Sequence, residues 1–136
     1  MAFVTITSAQ TRVYRLNLGH QFLQGEKMTS KNGKYEFSFQ PNGNLVLKMF
    51  TVGIADFEGN AQIQEKIIWS SKTANKANSC TLQQDGNLVL YDNAKKAVWA
   101  TNTNGKGAYI TMQDDGNVVI YDNTKKAVWA TNTNEK

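Results

Sequence analysis

The nine residues Gln83-Gln84-Asp85-Gly86-Asn87-Leu88-Val89-Leu90-Tyr91 return thirty positions later as Gln113-Asp114-Asp115-Gly116-Asn117-Val118-Val119-Ile120-Tyr121. A third copy stands upstream as Gln40-Pro41-Asn42-Gly43-Asn44-Leu45-Val46-Leu47-Lys48. A 136-residue chain that spends three segments on one pattern is a repeat protein. Units of about thirty residues cannot bury a hydrophobic face alone, so three of them must share one core. The likeness runs on past the motif: Tyr91 to Asn104 and Tyr121 to Asn134 differ only at Ala94 against Thr124. Trp69, Trp99 and Trp129 hold equivalent places, one per repeat. The chain therefore reads as one domain over residues 1–136, with motifs at 40–48, 83–91 and 113–121. Repeat one carries an insertion at about 50–62, with Gly53 and Gly59 in it, which is expected to be a longer hairpin or loop.

Within each unit apolar and polar residues alternate. Tyr35, Phe37 and Phe39 alternate with Glu36, Ser38 and Gln40; Cys80 and Leu82 with Thr81 and Gln83; Ile110 and Met112 with Thr111 and Gln113. Period two predicts strands with one buried face. No window sustains a helical period, so the fold class is all-β. A β-trefoil is the rival, but its repeats run nearer forty residues.

The turn decides which side chains share a face. A two-residue loop at Asp85-Gly86 would put Gln83 and Val89 on opposite faces. A three-residue loop, Gln84-Asp85-Gly86, pairs Gln83 with Asn87 through a type I turn followed by a left-handed residue, which glycine supplies without a Cβ penalty. Pro41 fits the first central position of that turn in repeat one, so the three-residue loop is preferred. It sends Cys80, Leu82, Leu88 and Leu90 inward and places Gln83, Asn87, Val89 and Tyr91 on the outer face, with Asp85 above them. Opposed residues then lie ~5 Å apart, a patch the size of one sugar ring. A neutral sugar needs donors, acceptors and an apolar contact in a fixed layout; Asp accepts, Asn and Gln do both, Tyr offers a hydroxyl, and Val packs. The candidate binding residues are thus Gln83, Asp85, Asn87, Val89 and Tyr91, repeated as Gln113, Asp115, Asn117, Val119 and Tyr121. The tryptophans could stack on sugar, but one per repeat at a fixed offset suits a central packing cluster better, each indole N–H being satisfied internally.

Other chemistry finds little footing. His20 is the sole histidine and Cys80 the sole cysteine, so no internal disulfide forms, and no metal-ligand or nucleophile–base spacing occurs. No metal, cofactor or catalytic residue is expected, and the chain does not read as an enzyme. Net charge is +4, carried by scattered lysines such as Lys95, Lys96, Lys125 and Lys126. They read as solvated turn residues, with an anionic partner such as actin as the sharper alternative; without a basic stripe, no nucleic acid is expected. Met1 to Thr5 lacks a charged, then apolar leader, and no stretch is long enough to insert in a membrane. A cytoplasmic or leaderless secreted location is the expectation.

Three registered copies of Q-x-D-x-N-x-V-x-Y, with W-A-T-N-T after two of them, resemble the monocot bulb-type, snowdrop-like mannose-binding lectins. The likeness runs from about Leu16 to the end of the chain. It implies a β-prism II fold: three antiparallel sheets about a pseudo-threefold axis with tryptophans at the centre. It also implies metal-free binding of α-mannose and high-mannose glycans. Carried over, Asp85 and Asn87 would hold the 2-hydroxyl, Gln83 the 3-hydroxyl and Tyr91 the 4-hydroxyl, while Val89 packs on ring carbons; Gln113, Asp115, Asn117, Val119 and Tyr121 would repeat those roles. Repeat one departs, with Asn42 for Asp and Lys48 for Tyr beside Gln40, Asn44 and Val46, so its site is expected to be weak or dead. Family members often dimerise by exchanging C-terminal strands, which implies a homodimer through the tail Ala130 to Lys136. The plant proteins carry a disulfide; Cys80 matches one partner, but Gly43 stands at the other. With the missing leader, this suggests a relative outside the secreted plant lectins, of the slime-mould comitin kind, in which a lectin-type domain also binds actin. Two readings follow: a multivalent mannose-binding lectin, and an intracellular adaptor or actin-binding protein on the same scaffold.

Overall fold

A computed structural model describes residues 12–53 and 55–135. The start Met1 to Thr5, Ile54 of the repeat-one insertion and the terminal Lys136 lie outside the described residues.

Among the described residues twelve strands follow in order: β1 (Arg15–Asn17), β2 (Gln21–Phe22), β3 (Lys27–Thr29), β4 (Tyr35–Phe39), β5 (Leu45–Gly53), β6 (Gln62–Ser70), β7 (Ser79–Leu82), β8 (Leu88–Tyr91), β9 (Ala97–Ala100), β10 (Tyr109–Met112), β11 (Val118–Tyr121) and β12 (Ala127–Ala130). They form three four-stranded antiparallel sheets, in the orders β3-β4-β5-β6, β2-β7-β8-β9 and β1-β10-β11-β12. Each repeat supplies a three-strand meander. The N-terminal segment then deals out one short edge strand to each sheet, reaching repeat three first and repeat one last. The architecture is the β-prism II that the family resemblance implies.

Alternation builds the core. Phe37, Phe39, Leu45 and Leu47 from the first sheet meet Cys80, Leu82, Leu88 and Leu90 from the second and Ile110, Met112, Val118 and Ile120 from the third, all buried. Burial pushes the Cys80 thiol pKa far above its ordinary value, so the sulfur behaves as a small hydrophobe. The last strand of every sheet breaks the alternation. Leu90 pairs with Trp99 but Tyr91 with Ala97, leaving Val98 as the extra residue of a β-bulge. The same shift falls between Leu47 and Lys48 and between Ile120 and Tyr121. Without it, Val98 and Trp99 would point to opposite faces; with it, both pack against the core. The three indoles meet edge to face, with centroids 5.6, 5.8 and 5.9 Å apart. Such pairs contribute about 0.5–1.5 kcal/mol each beyond the area they bury. The cluster is half-buried, and no described residue accepts a hydrogen bond from an indole N–H, so the internal partners foreseen for these groups are not met.

The repeat-one insertion is a longer hairpin. Strands β5 and β6 pair out to Gly53 and Gln62. Its turn copies the tight turns of the other repeats: Asp56 Oδ1 accepts from the N–H of Glu58 and Asn60, as Asp92 Oδ1 does from Ala94 and Lys96. Gly59 and Lys95 hold the matching positive φ, 84° and 62°. The ribbon leaves Val52, Phe57 and Ile63 exposed.

Candidate functional site

The hairpin between β7 and β8 has the three-residue loop. The Gly86 N–H donates to the Gln83 carbonyl at 2.9 Å and the Gln83 N–H to the Asn87 carbonyl at 2.8 Å. Gly86 takes φ 91°. A Cβ there would also stand 2.4 Å from the Gly107 carbonyl oxygen, so glycine is required twice over. Repeats one and three close the same way through Gly43 and Gly116. Gln83, Asn87, Val89 and Tyr91 consequently share the outer face of their sheet, with Val89 opposite Thr81 and Ala100.

Hydrogen bonds within the hairpin fix which atoms face outward. The Asn87 N–H donates to Asp85 Oδ1 at 2.9 Å, leaving Oδ2 as a free acceptor. Asn87 Oδ1 accepts from the Thr101 hydroxyl at 3.1 Å and the Thr103 N–H at 3.2 Å, so its amide NH2 is turned outward as a donor. Gln83 Nε2 donates to the Tyr91 hydroxyl; the Gln83 Oε1 acceptor and the Tyr91 O–H donor remain. Each site therefore offers two donors and two acceptors about a floor made by Val89. That floor is recessed: Val89 is only 3% exposed, not the open apolar contact the alternation alone suggests.

Repeat three reproduces the arrangement. The Asn117 N–H meets Asp115 Oδ1 at 2.9 Å, Thr131 reaches Asn117 Oδ1 at 3.1 Å, and Gln113 Nε2 donates to Tyr121; Val119 is likewise 3% exposed. In repeat one, Asn42 keeps the turn bond to the Asn44 N–H at 2.9 Å, and Ser71 and Thr73 hold Asn44 Oδ1 from behind. Val46 is buried there too. Lys48, however, points its ammonium to Glu65 Oε1 at 3.3 Å, so Gln40 has no hydroxyl partner and the outer face carries an ion pair where the other repeats present a phenol.

Sequence reasoning missed the threonines. Thr101 accepts from the Leu88 N–H at 3.1 Å, and Thr103 donates to the Gly86 carbonyl at 2.6 Å; Thr131 and Thr133 do the same for Val118 and Gly116. The T-x-T after Trp99 and Trp129, replaced by Ser71-Lys72-Thr73 after Trp69, is thus the bracket that orients the site asparagine. Its recurrence in step with the motif was the available signal. The intervening Asn102 and Asn132 sit at φ 58°, a left-handed conformation that asparagine tolerates. The tail packs against repeats one and three: β12 pairs with β11, the Glu135 N–H donates to the Asp115 carbonyl at 2.7 Å, and Glu135 Oε1 meets Lys34 Nζ at 2.6 Å and the Tyr35 hydroxyl.

No protein-family model and no curated protein matches this chain; the likeness is carried by solved structures. A monomeric monocot mannose-binding lectin from Gastrodia elata superposes with a TM-score of 0.69 at 38% identity, over 90% of this chain and 99% of that one. A Marasmius oreades lectin gives 0.68 at 31% identity, over 90% and 97%. The mannose-specific agglutinin of snowdrop (Galanthus nivalis) bulbs, solved with methyl-α-D-mannoside, gives 0.59 at 33% identity, over 90% and 99%. With this sheet order and these hairpins, the chain belongs to the bulb-type mannose-binding lectin family and is a carbohydrate-binding lectin fold.

Proposed function

We propose that the protein binds terminal α-mannose of high-mannose glycans through two intact sites, Gln83/Asp85/Asn87/Val89/Tyr91 and Gln113/Asp115/Asn117/Val119/Tyr121. The observation that carries this reading is the duplicated orientation of the site asparagine: its oxygen is engaged from behind in both repeats, leaving the same donor aimed at solvent beside the same free carboxylate oxygen. Two donors and two acceptors without a net cation suit a neutral polyol better than an anion. A shallow one-ring site is weak alone, so two sites per chain gain from avidity on branched glycans. The first site, with Asn42 and Lys48, contributes little.

An actin-linked adaptor is the second reading, and the lysines that suggest it have a simpler cause. Lys95 and Lys125 occupy the positive-φ places of tight turns capped by Asp92 and Asp122.

Asn87→Ala combined with Asn117→Ala is expected to abolish retention on mannose-agarose while the thermal unfolding transition stays cooperative. Retention by that double variant would rule out these sites.

A further inference from the structure

The site tyrosines of repeats two and three have different neighbours. On the outer face Tyr121 of β11 stands between Tyr109 of β10 and Ala127 of β12, and Tyr91 of β8 between Ser79 of β7 and Ala97 of β9. An alanine methyl is too short to brace a phenol ring, so support must come from the other strand. Tyr109 supplies it: its ring stacks on that of Tyr121, with centroids 5.4 Å apart and planes inclined by 28°. Ser79 has no ring to offer. Among the described residues it is the hydrogen bond from Gln83 Nε2 that orients Tyr91.

The stack is backed from the edge strand. Arg15 of β1 opposes Thr111, two positions from Tyr109 on the same face, a diagonal that long side chains span. Its guanidinium carbon lies 3.8 Å from the Tyr109 ring centroid, where the negative ring face attracts it. Strand β10 lies between β1 and β11, so Tyr109 has Arg15 on one side and Tyr121 on the other.

The equivalent places hold Gln21 and Ser79 in the second sheet, Gln21 opposing Thr81 as Arg15 opposes Thr111. In the first sheet they hold Lys27 and Glu36, an ion pair at 3.6 Å, with Lys48 opposite Glu36 in the tyrosine's place. Each short N-terminal strand thus begins a row that ends at a site: cation, ring and ring in repeat three; amide, hydroxyl and ring in repeat two; alternating charges in repeat one.

Neither Arg15 nor Tyr109 is among the groups offered to the sugar. A ring fixed before binding gives up less torsional freedom when its hydroxyl meets the ligand. We propose that Tyr109, backed by Arg15, is a positioning residue that holds the Tyr121 hydroxyl in place, so that site three binds mannose more tightly than site two. The inference rests on the lectin reading above.

Two full-length chains isolate the sites: Asn87→Ala leaves site three, and Asn117→Ala leaves site two. In titration calorimetry with methyl α-mannoside the Asn87→Ala chain should bind about three-fold or more tighter, the scale of one aromatic pair. Adding Tyr109→Ser to it should lower the affinity to that of site two. Tyr109→Phe in its place should restore the affinity, because the stack needs the ring and not the hydroxyl. Arg15→Gln should lose part of the advantage. The reciprocal change guards against misfolding: Ser79→Tyr with Gln21→Arg in the Asn117→Ala chain should raise site two towards site three. Where Tyr121→Phe has already removed the hydroxyl, Tyr109→Ser should cost little more; an equal further loss would mean that Tyr109 meets the sugar itself, and the positioning role fails. Equal affinities in the two single-site chains, no loss on Tyr109→Ser, no gain in the reciprocal chain, or binding confined to the Asn117→Ala chain overturns the inference and leaves the lectin reading standing. Absence of binding by both single-site chains overturns that reading, and the inference falls with it.

Discussion

Thr101 Oγ1 stands 3.1 Å from Asn87 Oδ1 and accepts from the Leu88 N–H at 3.1 Å, so one hydroxyl ties the site side chain to the strand that carries it. Thr101→Val keeps the shape and removes the hydroxyl. The buried Leu88 N–H then lacks a partner, at a cost of about 1–3 kcal/mol, and the Asn87 amide can rotate. In an Asn117→Ala background, which leaves site two alone, Thr101→Val should weaken mannoside binding several-fold in calorimetry and lower the unfolding midpoint. Thr101→Ser should restore both. Unchanged affinity in Thr101→Val would show that Asn87 does not need the bracket.

Repeat one should be repairable. Its turn, its Asn44 bracket and its buried Val46 match the other repeats, and only Asn42 and Lys48 depart. Restoring Asn42→Asp and Lys48→Tyr gives back the acceptor and the phenol; Glu65→Gln avoids stranding a carboxylate. The Lys48–Glu65 pair is exposed on the glutamate side, so its loss costs at most ~1 kcal/mol. The triple variant should raise the calorimetric stoichiometry for methyl α-mannoside from two toward three per chain. A stoichiometry still at two would place the defect elsewhere, with the long β5–β6 ribbon the next suspect.

The parts of this fold that the sequence makes legible are those that repeat or alternate. The Gln-x-Asp-Gly-Asn turn announced its own geometry because Gly86 and Pro41 each tolerate few conformations, and the registers of Leu82 with Leu88 and Gln83 with Asn87 follow from it. Strands β1 to β3 were not legible: two or three residues are too short to show a period, and their partners lie in three different repeats. The bulge opposite Leu90 leaves only a faint trace, the consecutive apolar pair Val98-Trp99. At the site, residue types were readable, but the recess around Val89 was not, because it depends on Thr81 and Ala100 from the flanking strands.

Two glycines at positive φ should separate strain from packing. Gly105 has φ 80° with nothing within 4 Å of an added Cβ, whereas Gly86 has φ 91° with Gly107 backbone atoms at 2.4 and 2.7 Å. Gly105→Ala therefore meets only the left-handed penalty of about 1–2 kcal/mol. Gly86→Ala adds overpacking against a backbone that cannot yield, a further 1–3 kcal/mol or so. Chemical denaturation should rank them in that order, with mannoside binding at site two lost only in Gly86→Ala. Equal destabilisation would mean that the Gly86–Gly107 contact relaxes freely.

Acid should release the tail before it unfolds the prism. Lys34 first, and then the Tyr35 hydroxyl, hold the Glu135 carboxyl pKa below its ordinary value, while burial and that same carboxylate push the Tyr35 pKa well up. A carboxylate with a lowered folded-state pKa stabilises at pH above its unfolded value, about 4.3, and that contribution fades as pH falls through the folded value. Glu135→Gln lacks the titrating group and should not show this fade. The Glu135 N–H donates to the Asp115 carbonyl inside the third site, so tail release should also loosen that turn. Hydrogen exchange of the Glu135 amide should accelerate on acidification in wild type, in excess of the intrinsic pH trend. It should be fast and without that excess in Glu135→Gln, with Asn117→Ala as the control that removes the sugar site but keeps the tail contacts. Protection of the Glu135 amide that is the same in both chains at every pH would show that the tail is held by β12 pairing alone.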